Sequence, residues 1–226
     1  AVGHWAGSGI TDATHCTFLG DYAGSATTTG VANTAVGQSA MQTNIGGDNN
    51  TACGYGTLAA LTTGIRNVAV GAIAHDAGTI GSYNTALGYS ALTADVVGDF
   101  ATALGYAALA AQVSDSDNQF VGNTAVGASA GAALTTGINS TLIGAYAGGS
   151  GAITGDNNTA LGTDALRSVT TGPNNIAIGY GAAYTTTAIT TGSQNICIGG
   201  SAKTSAADSQ YQIVLGYDVT GNAGDS

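Results

Sequence analysis

Residues 67–88 read NVAVGAIAHDAGTIGSYNTALG, and the stretch begins and ends on one word: Asn, a β-branched residue, Ala, an aliphatic residue, Gly. The two copies lie 17 residues apart. Followed outward in both directions, the word returns along almost the whole chain. With its final glycine as anchor, the copies end at Gly3, Gly20, Gly37, Gly54, Gly71, Gly88, Gly105, Gly127, Gly144, Gly162, Gly179, Gly199 and Gly216. The spacings are 17 six times, then 22, 17, 18, 17, 20 and 17. Self-similarity at such a period marks a stacked repeat architecture.

Each column of the repeat has its own chemistry. One residue before the anchor is aliphatic or Cys, as in Val36, Cys53, Val70, Leu87, Leu104, Val126, Leu161, Ile178 and Ile198. Two before is small, as in Ala35, Ala69, Ala86 and Ala160; three before is usually Thr, as in Thr34, Thr51, Thr85 and Thr124. Four before is usually Asn (Asn33, Asn50, Asn67, Asn84, Asn123, Asn158, Asn175, Asn195). Seven before is often a second glycine closing Thr-Thr-Gly, as in Gly30, Gly64, Gly137, Gly172 and Gly192. A short β-branched run ending in Gly reads as a strand closed by a tight turn. A glycine at a fixed place in every repeat implies positive φ or close approach of backbones. Seventeen residues are too few for a helix, two strands and their turns, and the Gly and Thr density disfavours helix. The expected fold is therefore all-β: a parallel β-solenoid (β-roll) of about thirteen 17-residue coils, each of two or three short strands. It forms a single repeat domain over 1–226, with an insertion loop at 111–121 where the spacing widens to 22.

Consecutive strand residues point to opposite faces. The Ala column is expected to fill a narrow interior, which leaves the Val/Leu/Ile column needing another cover. Copies of the same chain around a three-fold axis supply one, and a homotrimer is the expected partner state. A monomeric solenoid with a slightly oily face is the alternative.

Composition narrows the function classes. The 226 residues include 37 Gly, 13 acidic and 3 basic residues, and every acidic residue is Asp. With only Arg66, Arg167 and Lys203 basic, and a net charge of −10, contact with nucleic-acid backbones or anionic membranes is not expected. No apolar run is long enough to span a bilayer, so no membrane insertion is expected. The chain opens AVGHWAG, already inside a repeat and without an initiator Met or signal peptide, as a piece of something longer would.

The stretches AVGQSAM, NTALGYSAL, ATALGYAAL, NTAVGASAG and NIAIGYGAA resemble the head repeats of trimeric autotransporter adhesins. They also resemble the related Asn-Thr-Ala-x-Gly repeats of bacteriophage tail fibres, which are the closer likeness through their frequent Thr-Thr-Gly and Asn-Asn. The resemblance covers nearly the whole chain. It implies a left-handed parallel β-roll, trimerised about a fibre axis, in a virion or at a cell surface. The 17-residue period departs from the shorter one usual in adhesin heads.

Candidate chemistry is sparse. Cys16, Cys53 and Cys197 are scattered, and the last two replace Val and Ala in their columns, so they read as small buried hydrophobes. His4, His15 and His75 have no nucleophile at a recognisable spacing, so no enzyme activity, metal or cofactor is expected. Asp48-Asn49-Asn50 and Asp156-Asn157-Asn158 read as turns entering a strand. Asp115-Ser116-Asp117-Asn118 resembles the start of a calcium loop without its later Gly and closing Glu, and reads as a solvated loop. The Thr column suits an ice-binding face, but its interruption by Val68, Ile176, Ile196 and Ile213 points to burial instead. Tyr55, Tyr89, Tyr106, Tyr180 and Tyr217 follow the anchor glycine and are expected to be exposed, either as a rim over the turns or as a surface that stacks on a host glycan or protein. The turn glycines Gly20 to Gly216 are the expected structural requirement. The function that follows is a structural segment of a phage tail fibre or surface appendage supporting attachment. An adhesin head binding its receptor directly, or a monomeric ice-binding solenoid, are the alternatives.

Overall fold

The computed structural model describes residues 1–117, 119–184 and 189–222. The chain divides into two compact units, Ala1–Val121 and Gly122–Ser226, and the boundary falls at the end of the widened repeat. The first unit holds β1 (Thr17–Leu19), β2 (Thr34–Val36), β3 (Thr51–Cys53), β4 (Val68–Val70), β5 (Thr85–Leu87) and β6 (Thr102–Leu104). The second holds β7 (Thr124–Val126), β8 (Thr141–Ile143), β9 (Thr159–Leu161), β10 (Ile176–Ile178), β11 (Ile196–Ile198) and β12 (Ile213–Leu215). In each unit, strands consecutive in sequence are neighbours in a parallel sheet, with each column of the repeat aligned on itself. Phe18, Ala35, Ala52, Ala69, Ala86 and Ala103 stand in register in the first. Ala125, Leu142, Ala160, Ala177, Cys197 and Val214 do so in the second. The fold is a β-solenoid, with no helix among the described residues.

There is one three-residue strand per coil, where two or three were expected. The rest of the coil is turn, yet it is stacked as regularly as the strand. Gly24 N–H donates to Ala40 C=O at 2.9 Å, and Met41 N–H to Thr57 C=O at 2.9 Å. The backbone here alternates through the left-handed region, at Ser39 (φ 58°), Met41 (φ 47°), Leu58 (φ 51°) and His75 (φ 46°). A strand needs extended φ throughout, so this wall bonds coil to coil without forming a β-ladder.

Two glycine columns have different causes. At the anchors φ is positive, as at Gly20 (131°) and Gly88 (137°), a region that side chains rarely adopt. At the second column the need is space. A Cβ on Gly30 would lie 2.6 Å from the Gly47 carbonyl oxygen and 2.8 Å from the Asn33 side-chain nitrogen.

The interior is narrow and filled by complementary sizes. In five coils an Ala strand centre goes with a large residue four after the anchor: Ala35 with Met41, Ala52 with Leu58, Ala86 with Leu92, Ala103 with Leu109 and Ala160 with Leu166, all fully buried. Where the strand centre is Phe18 or Leu142, the partner is Gly24 or Gly148. A side chain at Gly24 would strike the Phe18 ring at 2.6 Å. In these coils one large side chain goes with one small one, as close packing requires, whereas Ala125 with Gly131 and Ala177 with Ala183 depart from the pairing.

The widened repeat bulges less than its length suggests. Gln112 and Val121 are fully buried, and Phe120 pairs with Asp99 in a parallel bridge. The exposed part is Val113, Asp115–Asp117 and Phe120, with Asp115 N–H donating to the Gln119 side chain at 2.7 Å. Asn118 lies outside the described residues.

Candidate functional site

The surface with most chemistry is the outward sheet face of each unit. Positions one and three before the anchor share it, because residues two apart on a strand point the same way. Its aliphatic rank is largely open: Leu19, Leu87, Leu104, Ile143, Leu161, Ile198 and Leu215 are exposed, Leu215 by 63%, while Val36, Val70, Val126 and Ile178 are half-buried. The Thr rank lies beside it. Thr17 and Thr85 are exposed, Thr34, Thr51 and Thr102 are half-buried, and Val68 is 43% exposed. The expectation that Val68, Ile176, Ile196 and Ile213 signal burial of this column does not hold within the chain: Ile213 is 70% exposed and Ile176 and Ile196 are half-buried. Strand parity settles the orientation, since the small interior residue lies between the two ranks.

Parity also separates the cysteines. Cys197, at a strand centre, is buried, and burial pushes its thiol up to about 11. Cys53, in the outward rank, is exposed, against the expectation of a buried hydrophobe. Cys16 takes the place of an Asn. Its sulfur donates to the Gly30 carbonyl and accepts the Asn33 N–H at 3.4 Å.

The Asn column, read in the sequence only as a preference, is a buried ladder. Asn50 Nδ2 donates to the Gly64 carbonyl at 2.8 Å, and its Oδ1 accepts the Asn67 N–H at 2.9 Å. Asn67 repeats both bonds to Gly81 and Asn84. Asn158 and Asn175 do the same in the second unit, to Gly172, Asn175, Gly192 and Asn195. The Asp of each Asp-Asn-Asn turn is equally structural: Asp48 Oδ1 accepts Val31 N–H at 2.7 Å, and Asp156 Oδ1 accepts Ile138 N–H at 2.9 Å.

The Tyr column stands clear of the fold. Tyr55, Tyr89, Tyr106, Tyr180 and Tyr217 are 52–83% exposed. Tyr89 and Tyr106 stack at 5.8 Å with ring planes 8° apart. A second aromatic series, which the column reading missed, starts five before the anchor at Tyr83 and Phe100 and continues to Phe120, seven before Gly127 in the widened repeat. Tyr83 and Phe100 stack at 4.7 Å, Phe100 meets Phe120 at 5.1 Å, and the Arg66 guanidinium lies 5.3 Å from the Tyr83 ring. Arg167 is held similarly between Tyr146 and Tyr184 and paired with Asp164 at 2.7 Å. Such a series becomes visible only once the register is fixed.

The histidines are not brought together. His4 meets Trp5 and Tyr22 edge-on, His15 is exposed beside Thr14, and His75 lies in the first unit's interior. Burial pulls the His75 imidazole down to about 4, only partly offset by the nearby Asp95 backbone. Burial raises the Asp95 carboxyl, although Ser114 donates to it at 2.8 Å. Among the described residues no group of His, Cys and Asp is placed to hold a metal, and no helix is long and apolar enough to cross a membrane. Comparison with protein families, characterised proteins and solved structures found no match.

Proposed function

We propose that this chain is a structural segment of a surface fibre, of the tail-fibre or appendage type, that assembles as a parallel homotrimer and supports attachment. The observation that carries this reading is the open aliphatic rank on each unit's sheet face. It is exposed at Leu19, Leu87 and Leu104 in the first unit and at Ile143, Leu161, Ile198 and Leu215 in the second, with half-buried Val36, Val70, Val126 and Ile178 between them, and an apolar surface of that kind favours a protein partner. A second copy carries an identical rank at an identical rise, and closed rotational symmetry lets like columns meet. The rest of each coil serves rigidity: buried Asn ladders, exposed aromatic stacks and Asp-capped turns tie each coil to the next. The virion or cell-surface location follows from the same reading.

The Thr rank favours a second reading. Thr17, Thr34, Thr51, Thr85 and Thr102 share a flat face with the aliphatic rank, at a rise of ~4.8 Å per coil. A regular array of methyls and hydroxyls suits ordered water, as on a monomeric ice-binding solenoid. Sedimentation equilibrium at micromolar concentration separates the two. A species of three times 21.7 kDa supports the fibre. A folded monomer that shows thermal hysteresis removes it in favour of ice.

A further inference from the structure

We infer that Asn49, Asn139 and Asn157 are acceptor sites for N-linked glycans, set along one column of exposed turns. Each opens a tripeptide of the Asn-x-Thr form: Asn49-Asn50-Thr51, Asn139-Ser140-Thr141 and Asn157-Asn158-Thr159. The chain has no other Asn-x-Ser or Asn-x-Thr, and all three fall five before an anchor, at Gly54, Gly144 and Gly162. The repeat fixes their geometry. The middle residue belongs to the buried column: Asn50 and Asn158 donate from Nδ2 to the Gly64 and Gly172 carbonyls at 2.8 and 2.9 Å, and Ser140 N–H donates to Asn123 Oδ1 at 2.7 Å. The residues on either side then face outward. Asn49, Asn139 and Asn157 are exposed, and Thr51, Thr141 and Thr159 are half-buried in the outward rank.

The fold leaves these three carboxamides unused. None of them makes a hydrogen bond among the described residues, whereas Asn33, Asn50 and Asn67 are buried and bonded. Nor does the turn demand Asn. Its backbone is left-handed at Asn49 (φ 58°), Asn139 (φ 55°) and Asn157 (φ 58°), yet Ala32 (φ 57°), Arg66 (φ 58°) and Phe100 (φ 63°) hold the same conformation in the same column. Glycosyl transfer needs an amide nitrogen in reach of solvent and a hydroxyl two residues on for the transferase to read. The donor class is a lipid-linked oligosaccharyl diphosphate. Asn Nδ2 bonds to the anomeric carbon, and the bond from that carbon to the diphosphate oxygen breaks. The diphosphate leaves with the electron pair, and Nδ2 gives up one proton to a base of the transferase. A glycan attached there enters solvent and displaces no packed side chain. A chain exported to a cell surface meets such a donor, so the inference rests on the surface form of the function proposed above and not on the trimer. The column carries its own control. Asn174, five before Gly179, is exposed with φ 59°, but Ile176 stands where the hydroxyl is needed.

The test is secretion of the whole chain from a eukaryotic host, with circular dichroism to check folding. Peptide mass spectrometry after peptide-N-glycosidase digestion in heavy-oxygen water then marks each glycosylated Asn as labelled Asp. Label is expected at Asn49 and at one or both of Asn139 and Asn157, which lie one coil apart, and not at Asn174. Thr51→Val, a residue the column already carries at Val68, should keep the fold and remove the label at Asn49 alone. Ile176→Thr, the usual residue of that column, should create a new site at Asn174. A folded, secreted chain with no label at any of the three overturns the inference, and so does label at Asn174 while Ile176 is in place. The fibre reading fails separately: a glycosylated chain that sediments as a monomer removes the trimer and keeps the sites, and an unlabelled trimer does the reverse.

Discussion

At the residue scale, the chain separates two kinds of positive φ. Gly88, at φ 137°, occupies a region where a Cβ has no room. Ser90, at φ 53°, is in the ordinary left-handed region, where coil 54 places Gly56 instead. Gly88→Val should therefore cost a few kcal/mol, whereas Ser90→Gly should be neutral or stabilise by up to ~1 kcal/mol, read as shifts in denaturant midpoint. Equal midpoints for Gly88→Val and the unmodified chain would remove the conformational role of the anchor. His75 gives a pH dependence. Its folded value of about 4 lies below the ordinary 6.5, so the unfolded chain takes up a proton that the folded chain refuses. Stability is full above pH 6.5 and falls as pH drops toward 4, by roughly 3 kcal/mol in all. Asp95 acts in the opposite sense, because a raised carboxyl favours folding at lower pH. Replacing His75 alone isolates its share. His75→Leu, matching Leu58 and Leu92 in the same column, should flatten the fall between pH 6.5 and 4.5 in urea titrations. An unchanged slope would show that His75 is not the group responsible.

At the element scale, the unit of design is a three-residue strand facing one bulky residue across a narrow interior. Ala86 with Leu92 and Leu142 with Gly148 are two solutions of one volume constraint. Ala86→Leu alone should overpack and cost about 1–3 kcal/mol. Adding Leu92→Gly, at a position whose φ of 54° glycine accepts, should recover most of that loss. A double-mutant cycle measures the coupling, and independent additive effects would refute the constraint. The periodicity made this element readable: anchor, Ala interior and aliphatic rank each repeat with one chemistry. Three things stayed hidden. The Thr column read as buried because Val and Ile interrupt it, although parity places it beside the outward Leu19 and Val36. Asn33 to Asn84 read only as a column preference, since an Asn side chain bonding across coils leaves no local signature. The left-handed turns of Tyr22, Met41 and Leu58 run against their own preferences, and only stacking with the next coil sustains them. The Tyr column was legible as exposed, but the stacking of Tyr89 on Tyr106 appears only once the coils are in register.

At the scale of the whole molecule, the proposed trimer makes a quantitative demand on the outward faces. If each of the twelve strands buries ~40 Å² of apolar surface against other copies, association gains up to ~12 kcal/mol per chain at ~25 cal/mol/Å². The loss of translational and rotational freedom costs about 4–15 kcal/mol, so no single coil is dispensable by a wide margin. A charge placed in the rank must then be desolvated on assembly, while in the monomer it stays in water. Leu87 and Leu104, on adjacent strands and 42% and 40% exposed, are the positions to use. The double substitution Leu87→Lys with Leu104→Lys should leave the circular-dichroism spectrum unchanged and shift the sedimenting species from trimer to monomer at micromolar concentration. Thr85→Lys, in the neighbouring rank, should weaken assembly less if the aliphatic rank lies nearer the three-fold axis. A trimer that survives both lysines would place the interface elsewhere on the coil and detach the fibre reading from the sheet face.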